Sequence, residues 1–250
     1  MHVFPAGQLL RALVLTLLAL VWCPVSHAQQ GVTTFGMQIK PVFPVSYFDP
    51  LVTISRPSVD GTVELTGGVA YGMSVRIGLT NTISLETGLG QIQRNYAFSI
   101  RNDTNGYAQS GRVRYIGYEV PITALVYIRL GEKTFMNAAM GFSADLYPSN
   151  VQSLVDQGRI EIAKRWAQLG VLGNMGVEYR TYKSGTFYLG ATYHRPFGNM
   201  ATVELTYFDL DGRSVVPYAM RSGLNGSYLT VDLRYYFHED PERINKRKKK

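Results

Sequence analysis

Between Tyr118 and Leu130 the side chains alternate for thirteen residues. Tyr118, Val120, Ile122, Ala124, Val126, Ile128 and Leu130 share one parity, and Glu119, Pro121, Thr123, Leu125, Tyr127 and Arg129 share the other. A period of two marks a strand, because successive Cβ atoms leave a pleated sheet on opposite faces. At roughly 3.3 Å per residue this strand is about 43 Å long, well beyond the ~5 or 6 residues of an ordinary globular strand. Tilted near 45°, it projects to about 30 Å, the thickness of a bilayer's hydrocarbon core. The segment confines the chain to folds built from long strands with one apolar face.

The alternation recurs over 69–80, 83–90, 136–146, 168–180, 187–194 and 228–237, and the segment around Phe35, Met37 and Ile39 completes eight strands. Three links are tight: LTNT (Leu79–Thr82), LGEK (Leu130–Lys133) and TYKSGT (Thr181–Thr186). Four are long, running about Pro44–Gly67, Ser99–Arg112, Pro148–Lys164 and Arg195–Gly223, with RNDTNGY (Arg101–Tyr107) and YFDLDGR (Tyr207–Arg213) as expected loop tips. Eight strands with every short turn on one side place both termini on that side too. This asymmetry belongs to barrels of the bacterial outer membrane, whose turns and ends are periplasmic. The expected fold is all-β, an eight-stranded antiparallel transmembrane up-and-down β-barrel.

Parity alone does not say which face is outside, since a soluble lipid-binding barrel hides its apolar face. The strand length favours a bilayer, and the composition of the polar face agrees. That face is mostly Gly, Ala, Ser and Thr, with isolated Arg76, Glu86, Glu119, Arg129, Glu178, Arg180, Asp232 and Arg234 of mixed sign. Small residues and pairable charges suit a crowded lumen, and a barrel of eight strands is just wide enough for side chains to fill. Arg76 with Glu86, Glu119 with Arg129, and Asp232 with Arg234 are the expected members of a structural polar network. Aromatics of the apolar parity gather at the two expected membrane edges, Tyr71, Tyr118 and Tyr193 toward the long links and Tyr179, Phe187, Tyr235 and Phe237 toward the short turns. Such girdles sit where lipid meets water.

The ends divide the chain further. Arg11, the apolar run Ala12–Val21 and the small residues of Ser26-His27-Ala28 read as a secretory signal peptide at 1–28, leaving a barrel over 29–237 and a basic periplasmic tail over 238–250. The apolar run is short for a spanning helix, which needs about 20 residues. The one cysteine, Cys23, falls inside this leader, so the exported chain has no thiol for a disulfide, a thiolate metal site or a nucleophile. The net charge is +7, and the tail carries Lys246, Arg247, Lys248, Lys249 and Lys250. With much of the excess there, the body lacks the basic field of a nucleic-acid binder. The tail is either a site for an anionic periplasmic partner or a solvated charge run.

The stretch YIGYEVPITALVYIRL (Tyr115–Leu130) resembles the Tyr-x-Glu-Ile-Pro-apolar strand of the PorT-like outer-membrane barrels common in Bacteroidetes. Glu119 and Pro121 stand at the matching places, and Val120 replaces the usual Ile. Leader, strand count and final aromatic strand resemble that family over nearly the whole mature chain. The resemblance implies an eight-stranded outer-membrane barrel, and some members are accessory parts of a protein-secretion machine. Pro121 also has a reading of its own: in a closed sheet its missing N–H predicts a bulge or a register break beside Glu119, whether as a tolerated kink or a hinge.

Little in the sequence points to chemistry. His194, beside Arg195 at the loop end of the seventh strand, is the candidate catalytic base of a lipid-modifying hydrolase, with Ser214, Ser222 or Ser227 approaching through the following link. The competing reading gives His194 a hydrogen-bonding role at the rim or in the lumen. No His, Asp and Glu spacing suggests a metal, and no cofactor is implied. The leading expectation is a non-enzymatic barrel in the outer membrane of a Gram-negative bacterium, termini periplasmic, in contact with outer-membrane lipid. Envelope or secretion proteins would dock on its long links or tail.

Overall fold

The computed structural model describes residues 32–44, 51–80, 82–211 and 214–238. The expected leader at 1–28 and the tail residues Lys246–Lys250 lie outside the described residues. Every regular element among those described is a strand: β1 (Thr33–Phe43), β2 (Leu51–Arg56), β3 (Val59–Gly78), β4 (Ile83–Asn102), β5 (Tyr107–Arg129), β6 (Thr134–Leu146), β7 (Val151–Val155), β8 (Gly158–Lys164), β9 (Ala167–Arg180), β10 (Thr186–Pro196), β11 (Ala201–Asp211), β12 (Ser214–Leu224) and β13 (Tyr228–Tyr236). Eight of them close a ring. In the order β1, β13, β10, β9, β6, β5, β4, β3 each bonds antiparallel to the next, and β3 pairs back onto β1 from Thr33↔Ile77 to Val42↔Gly68.

The tight turns form where the alternation stops. Leu79 N donates to Ile83 O, Leu130 N to Thr134 O and Thr181 N to Gly185 O, each at 3.0 Å. Gly185 has a φ of 85°, and a Cβ there would lie 2.2 Å from Tyr236 O, so the last of these turns requires glycine. At this end of the barrel the rings of Phe187, Tyr235 and Phe237 pack in series, 5.2 and 5.3 Å apart.

Outward from the ring the apolar parity forms a belt. Met140 is 71% exposed, Met73 66% and Phe142 62%, with Ile39, Ile122, Met175 and Leu189 also exposed around the circumference. Soluble monomers rarely expose a contiguous apolar surface that runs around the whole molecule. Lipid is the solvent that suits it, and the barrel is transmembrane.

The long links are not loops, which corrects the sequence reading. β3, β4 and β5 continue far past the belt, and the link 44–67 contributes β2 beside β3. The other two links fold as hairpins, β7–β8 and β11–β12, which join as a second sheet in the order β12, β11, β8, β7. β7 lies against β5 and β12 against β2, so the two sheets enclose a cap above the barrel. Arg101–Tyr107 does form the β4–β5 tip, with Gly106 at a φ of 69°.

Polarity inverts along these strands. On β4 the inward parity runs from Ser84 and Glu86 in the belt to Tyr96, Phe98 and Ile100 in the cap, while the outward parity changes from Leu85 and Leu89 to Gln93, Asn95 and Ser99. Each strand is lipid-facing outside and polar inside at one end, water-facing outside and apolar inside at the other. Ile160, Ile162, Val203, Leu205, Tyr207 and Met220 of the second sheet complete one buried apolar core with Val59, Val63 and Leu65. β3 reaches this arrangement by a bulge. Thr66 is the extra residue between the pairs Leu65↔Tyr96 and Gly67↔Asn95, and Gly67 takes a φ of 134°. Below the bulge even-numbered residues such as Ser74 and Arg76 face in; above it the odd-numbered Val59, Val63 and Leu65 do.

Pro121 produces neither a bulge nor a shift. Pairing of β4 with β5 lapses between Thr87↔Ile122 and Gly90↔Glu119 and resumes in the same register. The Thr87 hydroxyl donates to Pro121 O at 2.8 Å, satisfying a carbonyl at the gap.

Candidate functional site in the barrel interior

The bore holds two layers of polar side chains. The layer nearer the turns is built on Arg76. Its Nε donates to Glu86 at 3.0 Å, Nη1 to Glu178 at 2.6 Å and Nη2 to the Tyr236 hydroxyl at 2.8 Å. β3 and β9 are four places apart in a ring of eight, so the Arg76–Glu178 pair spans the diameter. Glu86 also accepts from Tyr236 at 2.7 Å and from Arg234. Glu178 accepts from Asn137 at 2.6 Å and Arg180 at 3.0 Å. Asp232 accepts from Thr192 at 2.6 Å, Asn174 at 3.2 Å, Thr230 and Arg234.

Arg76, Arg180 and Arg234 thus face Glu86, Glu178 and Asp232, three charges against three, with every carboxylate supplied by an arginine. Six of the eight network residues expected from the sequence meet here. Arg129 does not: it is exposed, and its Nε donates to Gly131 O at 3.0 Å. The expected Glu119–Arg129 pair is therefore absent. Arg129 stands at the last residue of β5, where the side chain reaches past the turn into solvent.

Glu119 belongs to the second layer, just beneath the cap. It accepts from the Tyr228 hydroxyl on β13, again four places across the ring. His194 on β10 is fully buried and stacks on the Tyr228 ring at 4.6 Å. Its Nε2 is 2.9 Å from Ser143 Oγ, 3.0 Å from Asp145 Oδ2 and 4.0 Å from Glu119 Oε2. Ser143 and Asp145 lie on β6, one strand beyond β9, and Gly170 on β9 leaves the gap through which they meet His194. Arg94 completes the layer, its guanidinium 4.9 Å from the centre of the Tyr228 ring.

The serine that hydrogen-bonds His194 is Ser143, a barrel residue, and not Ser222 or Ser227; the Ser227 hydroxyl donates to Asn225 at 2.8 Å, and the side chain of Ser214 lies outside the described residues. The grouping lacks the form of a nucleophilic triad. There the acid holds Nδ1 while the serine uses Nε2. Here Ser143 and Asp145 crowd the same nitrogen, and Nδ1 has no partner.

A closed ring of eight strands, an apolar belt and a bore crossed by side chains at two levels define a transmembrane β-barrel of the outer-membrane type. Among solved structures the chain is similar to the outer membrane protein OprG from Pseudomonas aeruginosa, with a TM-score of 0.50 and 10% identity, covering 86% of this chain and 100% of that one. It is also similar to the outer membrane protease OmpT from Escherichia coli, with a TM-score of 0.40 and 12% identity over 86% of this chain and 99% of that one. The likeness to OprG is one of fold. No family model matches the chain, and no curated protein sequence matches it.

Proposed function

We propose that this chain is a non-enzymatic barrel of a Gram-negative outer membrane, its turns and termini periplasmic, and that it serves as a structural or accessory component of the envelope or of a protein-secretion machine. The observation that carries this reading is the filled interior. Ion pairs and hydrogen bonds span the bore, and His194 within it is enclosed, so recognition falls to the outer surfaces. The belt takes outer-membrane lipid. The cap offers apolar hairpin tips, where Leu210 and Val215 are cross-strand neighbours and are 55% and 59% exposed. The resemblance of Tyr115–Leu130 to PorT-like barrels supports the secretion role, and the basic tail offers a second contact for an envelope protein. Nucleic acid is not an expected partner.

In-cell crosslinking followed by gentle solubilisation tests the reading. A reproducible envelope or secretion protein should come with the barrel, and should be lost from Leu210→Asp/Val215→Asp or from a chain ending at Phe237. A barrel that emerges bare from crosslinked cells would overturn it.

A further inference from the structure

The two polar layers differ in their donor count. Around His194 Nε2 stand Ser143 Oγ, Asp145 Oδ2 and Glu119 Oε2, three oxygens about a nitrogen that carries at most one hydrogen. Tyr228 supplies Glu119. Neither oxygen of Asp145 receives a hydrogen bond, although the residue is 3% exposed, and the 3.0 Å approach to Nε2 lacks hydrogen-bond geometry. Arg94 and Lys40 are the buried cations near this layer; Arg94 acts on Asp145 through space, but neither cation is ion-paired to Glu119 or Asp145 among the described residues, and the Arg94 guanidinium stands against the faces of Tyr147 and Tyr228. A buried carboxylate without a donor calls for positive charge from elsewhere.

We propose that Glu119, Asp145 and His194 bind a divalent transition-metal cation of the zinc class where the bore meets the cap. One ligand atom from each already lies within 4.8 Å of the others. Ligands about 2.0–2.2 Å from a zinc ion sit roughly 3–4 Å apart, so small side-chain rotations close the set, with Ser143 Oγ or a water as fourth ligand. The imidazole nitrogen selects against Ca²⁺ and Mg²⁺, which prefer oxygen alone. Gly170 keeps the space open: a Cβ there would lie 2.9 Å from His194 Nε2 and 3.0 Å from Ser143 Oγ. The three ligands come from the neighbouring strands β5 and β6 and from β10 on the far side of β9, so the ion would staple β10 to that pair as the barrel closes.

The test measures metal by mass spectrometry in barrels purified from membranes without chelator, and in barrels refolded in detergent with Zn²⁺ or Ca²⁺. Each barrel should retain a single Zn²⁺ through gel filtration and no Ca²⁺. His194→Ala and Asp145→Asn should weaken Zn²⁺ binding beyond the roughly 10–100-fold typical of a lost outer-shell partner. His238→Ala, which removes the exposed histidine after β13, should retain the ion. Should the ligand variants fail to fold, Co²⁺ in the wild-type barrel gives an independent readout, a visible band of nitrogen and oxygen ligation present in wild type and unchanged in His238→Ala. Folded wild type with only substoichiometric Zn²⁺ in both preparations would overturn the proposal and leave the cluster holding protons alone. Undiminished Zn²⁺ in a folded His194→Ala barrel would overturn it too, as adventitious metal elsewhere.

Discussion

At the scale of single residues the bore separates side chains of identical type by what surrounds them. Arg76 uses all three guanidinium nitrogens on Glu86, Glu178 and Tyr236, and its removal takes one of two arginine partners from each of two buried carboxylates. Arg76→Met should therefore cost about 3–5 kcal/mol, the range for breaking a buried ion pair from one side. Arg129→Ala, outside the network, should change stability by no more than about 0.5 kcal/mol. Heat-dependent gel migration of the two variants measures the difference, and equal midpoints would contradict the network. Parity had already put Glu86, Glu119, Glu178 and Asp232 inside. It could not show that Glu119 and Asp145 converge on His194, because that contact depends on which strands neighbour one another around a closed ring. Residues 119, 145 and 194 have no sequence spacing that announces a site.

At the scale of elements the cap is where sequence reading fell short. β2, β7 and β8 have five to seven residues each, too short for a sustained period, and Pro44–Gly67 carries glycines that read as loop. The cap also uses the same alternation as the belt with the sign reversed, so parity alone does not distinguish a lipid-facing strand from a core-facing one. The bulge on β3 makes that reversal possible for its own strand. Deleting Thr66 should turn Val59, Val63 and Leu65 outward and bring Asp60 and Glu64 onto the core face. The expected result is a cap open to limited proteolysis above an intact, heat-modifiable barrel; a protease-resistant cap would show that the register recovers another way.

The apolar core also affects the response of the cap to alkali. Burial pushes the Tyr96 hydroxyl well above its ordinary range. A folded-state value above the unfolded one, about 10, means that stability is fully present below pH 10 and declines as pH rises further. Tyrosinate absorbance should show Tyr96 titrating only as the cap opens, and Tyr96→Phe should remove part of that alkaline loss. Titration of Tyr96 near pH 10 in a protease-resistant cap would argue against its enclosure.

For the whole molecule, ring closure, belt and short turns were legible in the sequence because each rests on a local rule: period two, strand length and turn chemistry. The occlusion of the bore was legible only as a general consequence of strand number. The structure gives it as specific contacts, Arg76 to Glu178 and Tyr228 to Glu119, each joining opposite walls. Purified barrels in planar bilayers should hold the current at baseline, and steady ohmic steps would contradict the filled interior.

Those cross-bore contacts also have a mechanical side. An empty hoop flattens easily under the uneven lateral pressure of a lipid bilayer, whereas a hoop with spokes resists, since close-packed interiors are hard to compress. The spokes lie at two heights, and β3, β4 and β5 run unbroken from the turns into the cap. A pull on the cap is therefore taken up by these three strands and passed across the bore by the spokes to the opposite wall, as in a braced post instead of a compliant tube.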